Sequence, residues 1–306
     1  VTTRCIGGRH LLRPDPGVAA AFEYLLAVAA DRFAIELHEF ISLSNHYHLL
    51  LTDVDGRLPD FMHFFNTVLA RWLNARYGTM GPVFETYHLL VDEQPDRVVQ
   101  HASYILANPC TSNLVRRSSQ WIAASSRKRE YGRAVPLTRP TTGLWTVRAP
   151  RERKKPIAAG RGRYFRRPST LPGEASLRIT RPRVYDHLSD GEVRKLILAG
   201  LRSREIRSAQ ARSRSGAGVL GIRGVLATPR QSTPDRSVDP LTSVPSQATS
   251  YARGLAPRAD FRAFVERYRA TLNRFRSGCA DVIWPLGTWL MRRRYGLPIE
   301  PLPLAA

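Results

Sequence analysis

Through the first 115 residues the apolar positions change period repeatedly, and each change marks a boundary between elements. Val1 to Ile6 is β-branched and partly alternating, a strand closed by Gly7-Gly8. Asp15-Pro16 supplies a helix N-cap and a first-turn residue, after which Val18, Phe22, Leu25, Leu26 and Ala29 recur at helical spacing. Phe33, Ile35, Leu37 and Ile41 fall on odd positions and predict a second strand with these residues on one face. Ser42 to Asn45 is turn-like, and Tyr47, Leu49 and Leu51 form the apolar face of a third strand. Pro59 opens a helix with Phe61, Phe64, Phe65, Val68 and Trp72 inward and Gly78 beyond its end. Tyr87 to Val91, short and apolar, predicts a fourth strand. Pro95 then begins a helix running to Asn108, where Pro109 should stop it.

The order β-α-β-β-α-β-α makes the chain α+β. Its first six elements, βαββαβ, match the split pattern of ferredoxin-like folds, and the helix after them carries a tyrosine. That fold serves many functions, so function must come from side chains. Past Val115 the periodicity fades. Residues 122–183 are rich in Arg, Pro, Gly and Ser and read as a linker with little fixed structure. Helical spacing returns at Asp190–Arg212 and Asp260–Arg276, with a Ser/Thr/Pro-rich loop at Thr228–Ser250 between them. Trp284 to Leu290 gives the tail an aromatic anchor. The expected organisation is a catalytic domain over 1–121, a basic linker over 122–189, and a basic, partly disordered and mainly helical accessory region over 190–306.

Charge adds a partner to this picture. In 306 residues Lys+Arg outnumber Asp+Glu 47 to 25, a net +22, which points to a polyanion. Residues 1–115 carry a net −4 and residues 116–306 a net +26. The clusters Arg127-Lys128-Arg129, Arg151, Arg153, Lys154, Lys155, Arg161 and Arg163 are the candidate phosphate contacts. Three scattered cysteines exclude a disulfide scaffold and a paired-cysteine metal knuckle. No apolar run reaches membrane-span length, and no Lys follows a Gly-rich loop, so neither a membrane nor a nucleotide cofactor is expected. A cytoplasmic protein, nucleoid-associated when bound, is the corresponding expectation.

Candidate chemistry begins at His46-Tyr47-His48. Alternation along a strand sends both imidazoles to one face and Tyr47 to the other. Two adjacent imidazoles make half of a metal site, although an ordinary hydrogen-bonded histidine pair has the same pattern. On the helix that ends near Pro109, Arg97, His101, Tyr104 and Asn108 form a polar stripe, with Tyr104 and Asn108 projecting together. A solvated helix face would look the same. Taken together, His46, His48 and Asn108 could hold one ion with mixed nitrogen and oxygen ligation and open positions. That set suits Mg²⁺ or Mn²⁺ better than a closed zinc site. Tyr104 would stand one turn away as a nucleophile, and His101, Arg97 and Tyr87 could line the site.

These residues resemble a known family, the single-tyrosine HUH transposases, and within them the REP-associated tyrosine transposases. The resemblance is carried by VTTRCI at Val1–Ile6, SLSNHYHLLL at Ser42–Leu51 and YILANP at Tyr104–Pro109. It covers residues 1–115, with looser similarity at VLATPRQSTPDR and WPLGTWLMRR in the C-terminal part. Residues 122–138 depart from the usual continuation after Trp121. The resemblance implies a metal bound by His46, His48 and Asn108. It implies attack of Tyr104 on single-stranded or hairpin DNA, giving a 5′-phosphotyrosine link and a free 3′ hydroxyl, and rejoining by reversal. The enzyme would act as a monomer or homodimer. Two other readings stay open: a non-catalytic nucleic-acid binder on the same sheet topology, and a metal-dependent hydrolase in which water replaces Tyr104.

Overall fold

A computed structural model of the chain describes residues 1–91, 94–142, 145–147, 169–233, 251–279, 281–286, 288, 291–292 and 295–301. It forms two compact units, Val1–Val54 with Asp60–Thr233, and Asp55–Pro59 with Pro234–Ala306. The elements of the first are β1 (Thr2–Arg4), α1 (Pro16–Phe33), β2 (Ile35–Ser42), β3 (His46–Asp53), α2 (Leu58–Tyr77) and α3 (Pro95–Thr111). They continue with β4 (Ala134–Thr138), β5 (Thr146–Val147), β6 (Ser169–Thr170), β7 (Glu174–Arg178), α4 (Asp190–Ser215) and α5 (Gly221–Ala227). The protein is therefore mixed α and β, with small antiparallel sheets ordered β1-β3-β2, β4-β7 and β5-β6.

The first helix starts where its cap says it should: the Asp15 carboxylate accepts the Val18 N–H at 3.0 Å, with Pro16 behind it. Its apolar stripe packs on β3 and α2, where Phe22 meets Tyr47 (ring centroids 5.4 Å apart) and Phe65 (5.1 Å) edge-on. Tyr47 is completely buried there.

The second strand departs from strict alternation. A bulge between Leu37 and Glu39 pairs Leu37 with Leu51 but Phe40 with Leu49 and Ile41 with His48. The extra residue reverses the pleat, so Ile41 lies on the His48 face instead of with Ile35 and Leu37. The displaced residue, His38, is buried with its ring nitrogens 2.8 Å from the Thr180 carbonyl and 2.8 Å from the Thr52 hydroxyl. Glu39 is fully buried and meets Arg194 of α4 at 2.6 Å and the Tyr131 hydroxyl at 2.7 Å, with Ser126 donating to its other oxygen. Burial raises the Glu39 carboxyl above its ordinary range, and Arg194 pulls the other way.

Three further expectations need correcting. At Tyr87–Val91 there is no ladder strand. Instead the chain from Val83 to His88 runs antiparallel to β1 through isolated bridges, Cys5 with Phe84 and Thr2 with His88. Only these bridges join the segment to β1, and Leu89, Leu90 and Val91 are left exposed. Pro109 does not stop α3, which ends at Thr111. So close to the helix end the proline forfeits one backbone bond, while Ser112 N–H and the Thr111 hydroxyl still reach the Asn108 carbonyl at 3.0 and 3.1 Å.

The third correction concerns the expected linker. Residues 121–126 run along the outer edge of β2: Ser42 N–H donates to Ala124 (2.9 Å), Trp121 Nε1–H donates to Ser42 (2.8 Å), and Ile41 bridges Ser125. At the other end of that edge, Thr180 N–H donates to Leu37 at 2.7 Å. The β4–β7 pair packs on α1, and Trp145 sets its ring against Tyr24 and Trp72. A few buried side chains, Trp121, Tyr131, Leu177 and Ile179 among them, fold a stretch whose overall composition is polar. Residues 148–168 lie outside the described part.

Helix α4 is nucleated by a reciprocal capping box between Ser189 and Glu192 and packs along α3 through Val193, Ile197 and Leu201. The helices touch closely at Gly200, where an added Cβ would sit 2.9 Å from the Ser103 Cβ. Gly200→Ala should therefore cost about 1–3 kcal/mol by forcing the helices apart. Urea unfolding of the variant beside wild type checks this, and an unchanged midpoint would contradict the contact.

In the second unit, α6 (Tyr251–Arg276) begins earlier than its periodicity predicted. Trp284 is fully buried against Tyr268 and Phe275, and its backbone pairs with Pro298 and Glu300. The expected loop survives in description only up to Thr233. Among the described residues, no helix is long and apolar enough to cross a membrane.

Candidate active site

The antiparallel register places Thr2 opposite His48 and Arg4 opposite His46, so these four side chains share one face of the sheet. The two imidazole rings lie 4.9 Å apart, perpendicular to each other. Helix α3 crosses this face. Its Tyr104 ring meets His48 edge-on at 5.7 Å, and Asn108 Nδ2 lies 3.1 Å from His48 Nε2.

Hydrogen bonds fix how each ring is presented. Asn108 Oδ1 accepts from the Ser112 hydroxyl at 3.1 Å, which turns the amide NH₂ toward His48. His48 Nε2 is then the acceptor, and its Nδ1–H donates to the Thr2 hydroxyl at 2.8 Å. His46 repeats the arrangement, with Nδ1–H donating to Asn45 Oδ1 at 2.7 Å. In both rings an oxygen holds Nδ1 and Nε2 carries the lone pair, which in His48 accepts from the Asn108 amide; an oxygen on Nδ1 is the usual support for a metal-binding imidazole. Burial keeps them neutral: it lowers the His46 pKa to about 4, with Arg4 adding to the effect. It holds His48 well below the ordinary histidine value, helped by His46 and Arg4. Neutral imidazole is the ligating form.

Tyr104 is half-buried, and its hydroxyl has no hydrogen-bond partner among the described residues. The guanidinium of Arg204, from α4, lies over its ring at 5.7 Å.

Other expected site residues are placed elsewhere. Arg97 is exposed and His101 half-buried on α3, and His101 does not join the histidine pair: among the described residues no three His, Cys, Asp or Glu side chains gather as a metal cluster. Tyr87 precedes His88, which bridges Thr2, so alternation turns Tyr87 away from the His48 face. Burial and the nearby Asp53 raise its phenol. Arg127, Lys128 and Arg129 line an open groove of about 570 Å³ beside Trp121 and Ile122, apart from the histidines. Two of them serve the fold: Arg127 Nε donates to Ser118 at 2.8 Å, and Arg129 pairs with Glu23 at 2.7 Å. Arg151, Arg153, Lys154, Lys155, Arg161 and Arg163 lie outside the described residues.

Sequence reasoning missed Thr2, Arg4, Asn45 and Arg204. Asn45 was legible as the polar neighbour of His46. The other three depend on strand register or helix packing across the chain. Comparison of the chain with family models, with curated proteins and with solved structures finds no match.

Proposed function

We propose that the protein is a metal-dependent tyrosine transposase that cleaves and rejoins single-stranded or hairpin DNA. The observation that carries this reading is the pair of neutral imidazoles, each with Nδ1 held by an oxygen and Nε2 unprotonated, His48 Nε2 facing the Asn108 amide, beside a phenol and that amide one helical turn apart. The sheet order β1-β3-β2, the bridges from residues 83–88 to β1, and α1 and α2 on the Tyr47 side support a ferredoxin-like reading. The net charge of +22 suits a nucleic-acid substrate.

His46 Nε2 and His48 Nε2 are the groups that would hold Mg²⁺ or Mn²⁺, and Asn108 would join them through Oδ1 once its amide turns from Ser112. Such an ion, when bound, supplies charge neutralisation at the phosphate and at the departing oxygen. The chain supplies the rest. Tyr104 Oη attacks the phosphorus and forms a P–O bond as the P–O3′ bond breaks. The phenolic proton passes to solvent water, and the departing 3′ oxygen takes one from solvent to become a hydroxyl. The 5′ side stays on the tyrosine, and the reverse reaction with a 3′ hydroxyl rejoins the strand. Arg4 adds positive charge on the same face.

The test is an SDS-resistant protein–DNA adduct from labelled single-stranded hairpin DNA and Mn²⁺. Metal-dependent cleavage without an adduct would favour the hydrolase, and binding alone the non-catalytic binder. His48→Ala should abolish Mn²⁺-dependent cleavage while DNA binding persists. Thr2→Val, which frees the His48 ring, should weaken Mn²⁺ affinity about 10–100-fold by titration calorimetry. Unchanged affinity in both variants would remove these histidines from the metal site.

A further inference from the structure

The geometry points to Arg204 of α4 as a phosphate-contacting catalytic residue that neutralises the non-bridging oxygens of the DNA phosphate attacked by Tyr104. The inference rests on the transposase reading.

Arg204 is held by two hydrogen bonds to the helix that carries the tyrosine: Nε–H donates to Ser103 Oγ at 3.1 Å, and Nη2 donates to the Gln100 carbonyl at 3.0 Å. These anchors leave Nη1 without a hydrogen-bond partner among the described residues. The guanidinium lies 5.7 Å from the centre of the Tyr104 ring. A planar fork anchored on one side still presents N–H donors on the other, the geometry that receives phosphate oxygens.

The charges around it are arranged for an anion. Burial lowers the Arg204 pKa, and Arg207, one turn later, adds to this as a like charge. The acidic residue between them, Glu205, is turned away, accepting Ser118 N–H at 2.7 Å and the Ser118 hydroxyl at 2.6 Å. Arg207 itself is exposed and has no ion-pair partner among the described residues. One cation beside the nucleophile and a second next to that cation, with the local carboxylate diverted, leave a charge imbalance that a phosphodiester would relieve. The close α3–α4 contact at Gly200 and Ser103 brings Arg204 there, because it lies one turn beyond Gly200.

The experiment compares wild type, Arg204→Gln and Arg204→Lys on two hairpin DNAs, one native and one with a neutral methylphosphonate at the scissile position, with Mn²⁺ present. On native DNA, Arg204→Gln should form adduct about 10²-fold more slowly than wild type, with Arg204→Lys between them. On the methylphosphonate the Gln defect should shrink to within about 10-fold, since little charge remains to neutralise. A merely structural role would slow both substrates alike, and that result would overturn the assignment. So would a wild-type rate from Arg204→Gln on native DNA. Should the Gln variant not fold, the ratio of Arg204→Lys to wild type on the two DNAs decides by the same criterion. Absence of any adduct from wild type would bring down the transposase reading and this inference with it. An adduct from wild type together with equal defects on both DNAs would bring down the inference alone.

Discussion

Tyr104→Phe should fold like wild type and form no SDS-resistant adduct with labelled hairpin DNA and Mn²⁺, a loss on the order of 10⁴-fold or more. The substitution keeps the ring against His48 and under Arg204 and removes only the hydroxyl. Other tyrosines have their hydroxyls committed within the fold. Tyr47 donates to Asn66 at 2.5 Å in the core, Tyr77 to the Leu11 carbonyl at 3.1 Å, and Tyr131 to Glu39 at 2.7 Å. Tyr24 and Tyr185 donate to the carbonyls of Pro172 and Pro95. An adduct of wild-type yield from Tyr104→Phe would place the nucleophile elsewhere.

The second large effect concerns stability. Arg194→Met should destabilise the protein by about 3–5 kcal/mol at neutral pH, because it leaves the Glu39 carboxylate buried without its cation. The loss should depend on pH in a definite direction. Glu39 already has a raised folded-state pKa, and removing Arg194 raises it further. Below the unfolded value, about 4.3, the group is protonated in both states and the penalty vanishes. The penalty grows as pH rises from the wild-type folded value towards the variant's higher one, and is complete above that. Urea unfolding of wild type and variant at pH 4 and pH 7 checks the sign. A difference that is constant across pH would show that the pair is not what stabilises the contact. Adding Glu39→Gln to Arg194→Met should recover part of the loss at neutral pH, since a neutral amide can stay with Tyr131 and Ser126.

What the sequence reveals and what it conceals divide along physical range. The common face of His46 and His48 follows from alternation within three residues, and the joint projection of Tyr104 and Asn108 follows from one helical turn. Both are local and readable. The partners that orient these groups are not. Thr2 reaches His48 only through strand register, and Arg204 reaches Tyr104 only because Gly200 lets two helices approach. Glu39 interrupts the apolar odd positions of its strand, and nothing nearby in sequence supplies its partner. Its burial is set by a bulge at His38 and by an arginine far along the chain. The segment after Val115 is concealed for a different reason: its polar composition masks the few aromatic and aliphatic side chains that anchor it.

The edge of β2 gives the charge division a different meaning. The jump from net −4 to net +26 at residue 115 looks like the end of one module and the start of another. Yet the eight-residue edge of β2 is closed by residues 121–126 and by Thr180. A chain cut after Val115 would keep every residue of the histidine–tyrosine motif and leave that edge as an open row of unpaired amides and carbonyls, ready to add a strand from a neighbouring molecule. The shortest self-sufficient fragment is therefore longer than its motifs, and the basic part covers an edge through which the histidine-bearing sheet would otherwise self-associate.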